Sequence, residues 1–470
     1  MDETRAGRIR SALVFAAAAS LLLSGCDPDR SPRPAPGSEL VGCGRAGERV
    51  ALTADAHLDP SCDYTAGFDI ATSDVILDCR GARIRGEPGN GRRGIEIEAP
   101  EGADLANVTV RRCRVEGFLN GIRVTREGFR DLEPGAEYLN ETRDITIEDS
   151  WVEASHGVGI FVDGYVSDVT IRDTVITRTG SAGIYLETGS RRNRVERNWL
   201  LDNGYRENGP DGELFRLDGV DFWFWGVGRE GIAVDGSYEN VIRLNTFSGN
   251  SAGGIFLYKN CGEYPDSPRY FERRTPSDDN RIEGNVFLGG RDGVWVGSRM
   301  GENTLPMECT DPAYLEGAFQ RIVLDYAADN VVRGNVFHDV THAIRVEDDG
   351  TRVEGNVFLA DSADHHAVLV GTPHRTEVLD RPVRGTVIRG NVAAIAGNPS
   401  PYRWIHGQED TRFAWNFADG RVADFCEGEP VPRRPFIFVI ALTLAGPGGT
   451  PPATTPDLAV PTLGELPPCE

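Results

Sequence analysis

Val331-Val332-Arg333-Gly334-Asn335-Val336-Phe337 is followed, 21 residues on, by Arg352-Val353-Glu354-Gly355-Asn356-Val357-Phe358, with Ala343-Ile344-Arg345-Val346 between them. Each piece alternates apolar and polar residues, the pattern of a short strand with one buried face. Both phrases recur. The first returns as Arg194-Val195-Glu196-Arg197-Asn198, Val241-Ile242-Arg243-Leu244-Asn245, Arg281-Ile282-Glu283-Gly284-Asn285 and Val387-Ile388-Arg389-Gly390-Asn391. The second, Gly-Ile-x-Val in its commonest form, runs from Gly94-Ile95-Glu96-Ile97 to Ala367-Val368-Leu369-Val370. Phe247, Phe287, Phe337 and Phe358 open a further apolar step after the Asn, so one repeat holds three short strands. Such strands cannot bury a face singly, but stacked coils pair every backbone group and build a continuous Ile/Val core. Asn at the same turn of successive coils predicts a ladder, because its amide both donates and accepts. The fold class predicted is all-β, a parallel solenoid of three-strand coils.

Composition narrows the function. The 470 residues carry 49 Lys+Arg against 72 Asp+Glu, a formal charge of −23. That balance argues against nucleic acid, whose binding needs Lys and Arg on phosphates, and against acidic membrane surfaces. Arg5, Arg8 and Arg10 precede the apolar run Ser11 to Leu23, the pattern of a secretory signal peptide. Leu23-Ser24-Gly25-Cys26 resembles a bacterial lipoprotein box, which implies cleavage before Cys26 and lipidation of Cys26. The expected organisation is a signal peptide at 1–25 and a Pro-rich tether at 26–38. A β-helix follows at 39–425, interrupted at 204–230, 261–279 and 300–329, and then a Pro-rich tail at 426–470. The expected place is the cell envelope, lipid-anchored on its extracytoplasmic side, with the chain a monomer. Eight further cysteines suit an oxidising compartment. If the coils stack, Cys79 meets Cys113 and Cys261 meets Cys309, while Cys43–Cys62 and Cys426–Cys469 complete the set.

The Asn-x-Phe and Gly-Ile-x-Val phrases resemble the right-handed parallel β-helix repeats of pectate-lyase-like and mannuronan-epimerase-like proteins. The resemblance covers roughly residues 40 to 420 and implies a right-handed coil and a polysaccharide substrate. It departs from the family pattern at the site. Where the epimerase-like relatives carry Asp-Pro-His-Asp, this chain reads Ala233-Val234-Asp235-Gly236 and Phe256-Leu257-Tyr258-Lys259. The Gly-His-Gly signature of pectin hydrolases is missing as well. β-Helix lyases that set a Lys base beside an Arg of the next coil give an analogy for Lys259 and Arg299.

Alternation places phrase positions three and five outward when positions two and four are buried. Position three gives Arg123, Phe161, Tyr185, Ala233, Phe256, Trp295, Arg345 and Leu369. Its aromatics Phe161, Tyr185, Phe256 and Trp295 are candidates for stacking on sugar rings, with burial under loops as the other reading. Position five gives Asp163, Glu187 and Asp235 in consecutive copies, candidates for a Ca²⁺ site. The catalytic candidates are Lys259, Arg299, Tyr258 and Arg345. Neutralising a uronate carboxylate while a group of lowered pKa removes the C5 proton is the chemistry of a lyase or a C5-epimerase. A glycoside hydrolase using Asp163, Glu187 and Asp235, or a non-catalytic glycan-binding or assembly protein, are the alternatives. His156, His338, His365 and His366 read as surface residues. The insertions, including Phe222-Trp223-Phe224-Trp225, are expected to rim the site.

Overall fold

A computed structural model describes residues 36–86, 93–205, 213–217, 220–224, 228–262, 270–297, 308, 311, 313–319, 321–323, 326–373, 375–376, 380–404, 411–423, 425–426 and 429–430; in 213–217, 220–224, 425–426 and 429–430 only the backbone is described. The signal peptide, Cys26, Arg299, Cys309, Cys469 and nearly all of the tail lie outside these residues. Among the described residues no helix is long and apolar enough to cross a membrane.

Three long sheets run the length of the molecule. Sheet I has 13 strands beginning with Glu39–Val41, sheet II has 13 beginning with Asp63–Tyr64, and sheet III has 12 beginning with Val50–Leu52. Each coil contributes one strand to each sheet, as in Arg194–Glu196, Trp199–Leu201 and Glu230–Asp235. Successive coils pair in parallel and in register. Ile122, for example, sits over Ile95 and under Ile160, and Ile232 over Ile184. This is a parallel β-helix, and parallel crossovers are almost always right-handed.

The second and fourth phrase positions form the core. Ile95, Ile122, Ile160, Ile184, Ile232, Ile255, Val294, Ile344 and Val368 are all fully buried, each worth about 1.5–3 kcal/mol on leaving water. Phe247, Phe287, Phe337 and Phe358 stack inside with centroids 4.7, 4.6 and 5.2 Å apart. The glycine that opens the phrase is a steric requirement. A Cβ on Gly121 would stand 2.4 Å from Val152 Cγ1 and 2.7 Å from the Gly159 carbonyl.

The expected Asn ladder is present and longer than the sequence phrase. Asn198, Asn245, Asn285, Asn335, Asn356, Asn391 and Asn416 each receive the backbone N–H and side-chain amide of the preceding rung, or in Asn198's case the backbone N–H of Thr174. Toward the N-terminus the same level is held by hydroxyls: Thr174 Oγ1 accepts from Ser150 N, and Ser150 Oγ from Cys113 N. Cys113 is disulfide-bonded to Cys79, and Cys43 to Cys62. Cys261 is disulfide-bonded too.

Replacing Asn285 by Ala removes the acceptor of two Asn245 donors at 2.9 and 3.0 Å, a cost of about 1–3 kcal/mol for each buried orphan. Thermal unfolding of Asn285→Ala is expected well below wild type. A melting temperature unchanged from wild type would remove the ladder from the account of stability.

Candidate active site

Insertions flank sheet III on both long edges. The 204–229 segment enters it from sheet II and contains a backbone hairpin, Glu213–Leu217 against Val220–Phe224. Segments 127–141 and 259–280 leave it toward sheet I. The outward side chains of the central coils are largely enclosed: Tyr185, Phe256 and Tyr258 are buried, and Phe161 and Trp295 pack against them at partial exposure. Phe161 stacks on Tyr185 with centroids 5.1 Å apart, and Phe256 meets Trp295 edge-on at 5.0 Å. Ala233, between Tyr185 and Phe256, divides the column into two packed pairs.

A polar group is enclosed at the same place. Asp235 has no exposed surface. It accepts from Tyr185 Oη at 2.7 Å, Asn260 N at 2.7 Å and Asn260 Nδ2 at 2.6 Å. Arg273 is ion-paired with Glu187 one coil away and stands 3.6 Å from Asp235. Burial pushes the Glu187 carboxyl up to about 7; Arg273 opposes this rise and the nearby Asp235 adds to it. Burial, then Asp235, holds the Tyr185 phenol well above its ordinary value, so it stays a hydrogen-bond donor. Tyr258 Oη donates to Glu230 Oε1 at 2.9 Å and accepts from Arg229 Nη2 at 3.1 Å. Asp163, one coil N-terminal to Glu187, is ion-paired with Arg123, which also reaches Glu96 at 3.3 Å.

Arg273 arrives from outside the repeat. Its segment is anchored on the 127–141 insertion, where Phe271 meets Phe129 edge-on at 5.2 Å and Arg274 reaches Glu137 at 3.0 Å and the Leu132 carbonyl at 2.9 Å.

The sequence candidates fall into three places. Asp163, Glu187 and Asp235 occupy consecutive coils, with Tyr185 and Tyr258 beside them. Lys259 points elsewhere: it is ion-paired with Asp311 and its Nζ lies 5.7 Å from the Tyr326 ring. Arg345 lies over Trp295 at 4.6 Å and pairs with Glu347. The oxygens of Asp163, Glu187 and Asp235, the residues expected to hold Ca²⁺, do not all lie within 4.8 Å of one another. Among the described residues the only such set is Cys43, Asp59 and Cys62, whose sulfurs are bonded to each other. Guanidinium groups bring positive charge to all three carboxylates, Arg123 to Asp163 and Arg273 to Glu187 and Asp235. Sequence reasoning missed Arg273, Arg229, Glu230 and Asn260. Asn260 alone carried a signal, because alternation places it, with Tyr258, on the outer side.

Residues 63–211 match the family described as right handed beta helix region. No curated protein matches the chain. Among solved structures, the A-module of mannuronan C-5 epimerase AlgE4 from Azotobacter vinelandii is 16% identical, over 80% of this chain and 88% of that one, with a TM-score of 0.46. The Dettilon tailspike protein is 13% identical over 80% and 63%, TM-score 0.44, and an alginate lyase from Paenibacillus sp. is 12% identical over 79% and 99%, TM-score 0.32. With the three parallel sheets, the family match defines the class: a right-handed parallel β-helix protein.

Glu187 is expected to titrate near 7, and Arg273→Gln to raise its midpoint further by removing the charge that favours the carboxylate. Carbon-13 NMR of labelled Glu side chains reads both; a Glu187 midpoint near 4.5 in the wild type would refute the enclosed placement.

Proposed function

We propose that the protein acts on an extracellular polysaccharide, as a lyase or C5-epimerase of a uronate-containing chain. The observation that carries this reading is the acid–base group on the outward positions of sheet III. The core needs none of these side chains, yet Glu187, Asp235, Tyr185 and Arg273 form one hydrogen-bonded and ion-paired set. Removal of a proton alpha to a carboxylate requires a base and a positive group for the developing enolate. Glu187, with its pKa raised to about 7, can take or return a proton near neutrality. Tyr258, held between Arg229 and Glu230, is the second proton carrier, and Arg229 is the group to meet the sugar carboxylate. Asp235 and Arg273 position Glu187 and Tyr185. Departure of the 4-linked sugar after proton removal gives a lyase; reprotonation from the other face gives an epimerase.

A specific observation favours hydrolysis as the second reading. Glu187 and Asp235 are carboxylates on neighbouring coils in unlike surroundings, one with its pKa raised by burial and one ringed by donors. Such a pair suits an acid and a base flanking a glycosidic bond.

The disulfides support folding in an oxidising compartment. Together with the Leu-Ser-Gly-Cys sequence they support an envelope location with Cys26 lipidated.

Proton NMR in D₂O of uronate and neutral polysaccharides incubated with protein lacking residues 1–26 tests the reading, with and without Ca²⁺. New vinylic protons identify a lyase, deuterium at C5 an epimerase, and new reducing ends without unsaturation a hydrolase; no change in any chain removes the enzyme reading. Glu187→Gln and Tyr258→Phe are each expected to lower turnover by about 10²–10⁴-fold. Full activity in both variants would move the chemistry elsewhere.

A further inference from the structure

Sheet II carries an outward face unlike those of its neighbours. From Trp151 to Ala394 the register sets two outward residues on each coil, first Trp151 and Glu153, then Val175 and Thr177, then Trp199 and Leu201. Toward the C-terminus the pairs read Val286 and Leu288, Val336 and His338, and Val357 and Leu359. Glu153 and His338 are the two titratable side chains of this strip. Sheet I, on the same coils, turns Arg and Glu outward, as at Arg194 and Glu196, Arg281 and Glu283, and Arg352 and Glu354. Glu153 accepts from Trp151 Nε1 at 2.7 Å and is ion-paired with Arg178, so its charge is met locally. The two indoles share one column, with Val175 nearly buried between them. Trp199 is 46% exposed and has no hydrogen-bond, ion-pair or ring partner among the described residues. The core beneath is filled by Val152, Ile176 and Leu200, so packing does not require either indole.

We propose that this strip binds a single extended chain of uncharged sugars, with Trp151 and Trp199 as the stacking anchors. Coils are about 4.8 Å apart, so the two indoles recur at about 9.6 Å along the axis. In a β-1,4-linked hexose chain alternate units turn the same face to one side, and two units span close to that interval. A pyranose ring offers an apolar C–H face, and an exposed indole is the side chain suited to cover it. Beyond Trp199 the aliphatic residues continue the strip as a level, uncharged track. Other occupants fit less well. The strip runs seven coil spacings, about 34 Å, with about 7 Å between its two columns. That is roughly a few hundred Å², well under the ~800 Å² that each partner gives to a stable protein interface, which argues against a second copy of the chain. An acid paired with Arg178 and a histidine beside Asp339 give a polyanion nothing to bind. The inference goes beyond the sheet III reading, because it concerns another face and another sugar chemistry, and it needs none of the residues around Glu187.

The test uses the full-length protein and calorimetry, with cellohexaose as the neutral probe and a galacturonate hexamer as the anionic control. Wild type is expected to bind cellohexaose with an affinity that added salt leaves unchanged. Trp199→Ala should weaken that binding about tenfold, the scale of one lost stacking contact, and Trp151→Ala/Trp199→Ala should remove it. Trp199 is an exposed outward residue, so its single variant should melt with wild type. Glu187→Gln should bind cellohexaose as wild type does, which reads the strip separately from the chemistry on sheet III. No binding by wild type, equal affinity in Trp199→Ala, or a salt-sensitive preference for the galacturonate hexamer overturns the strip as a neutral-sugar site. So does a wild-type dimer in sedimentation that Trp199→Ala converts to monomer, since the strip is then an interface between copies. Cellohexaose binding that Trp199→Ala weakens, in a protein that turns over no polysaccharide, keeps the strip and rejects the catalytic reading.

Discussion

The axial column of side-chain acceptors is the constraint on which the other features of this molecule depend. From Cys113 through Ser150, Thr174 and the seven asparagines to Asn416, each level offers an oxygen to the backbone N–H of the level before it or, at the Cys113 end, a hydroxyl-linked start. A buried turn has polar groups that no strand pairs, and leaving them unmet costs more than the bond itself returns. Filling the turn with one residue type at one height satisfies every coil in the same way. That uniformity fixes the height of the three strands relative to one another. It brings Ile onto Ile and Phe onto Phe without any coil having to find its own register.

Once the inward positions are committed to packing, the outward positions of sheet III are free to carry charge. The chain uses that freedom unevenly along the axis. The central coils hold acids compensated by guanidinium groups, and farther along Arg345 pairs with Glu347. Compensation in the centre comes from a neighbouring insertion rather than from the sheet. Arg273 is brought to Glu187 and Asp235 by a segment whose aromatic and ionic contacts lie on the 127–141 insertion. The proton affinity of Glu187 therefore depends on how two non-repeating segments pack together. A charge that a regular strand position could not have supplied without facing its own neighbours is supplied from above.

The contrast explains what could be read in the sequence. Repetition made the fold legible: nine phrases with the same apolar pair and six asparagines at the same turn leave one economical arrangement. The disulfide Cys79–Cys113 followed from it, and Cys43–Cys62 from completing the cysteine set. The acids Asp163, Glu187 and Asp235 were legible for the same reason, as fixed positions of the phrase. Their partners were not. Arg229 and Arg273 sit in insertions, where no period says which side chain turns inward. Lys259 drew attention by its charge, but it lies just past the end of the strand, where Asp311 of a later insertion meets it. The aromatics of position three were placed on the right face, but the sequence gives no measure of how completely flanking segments cover that face.

Ladder rungs are separated by 47, 40, 50, 21, 35 and 25 residues along the chain, yet each is one level from the next. The column is indifferent to the contour length between its members, and the entropy of closing a longer excursion grows only as a logarithm. Peptides grafted at the same corner of adjacent coils would emerge about 4.8 Å apart. Such a chain is a ruled scaffold for display, on which the spacing of unrelated segments is set by the backbone and their content is left open.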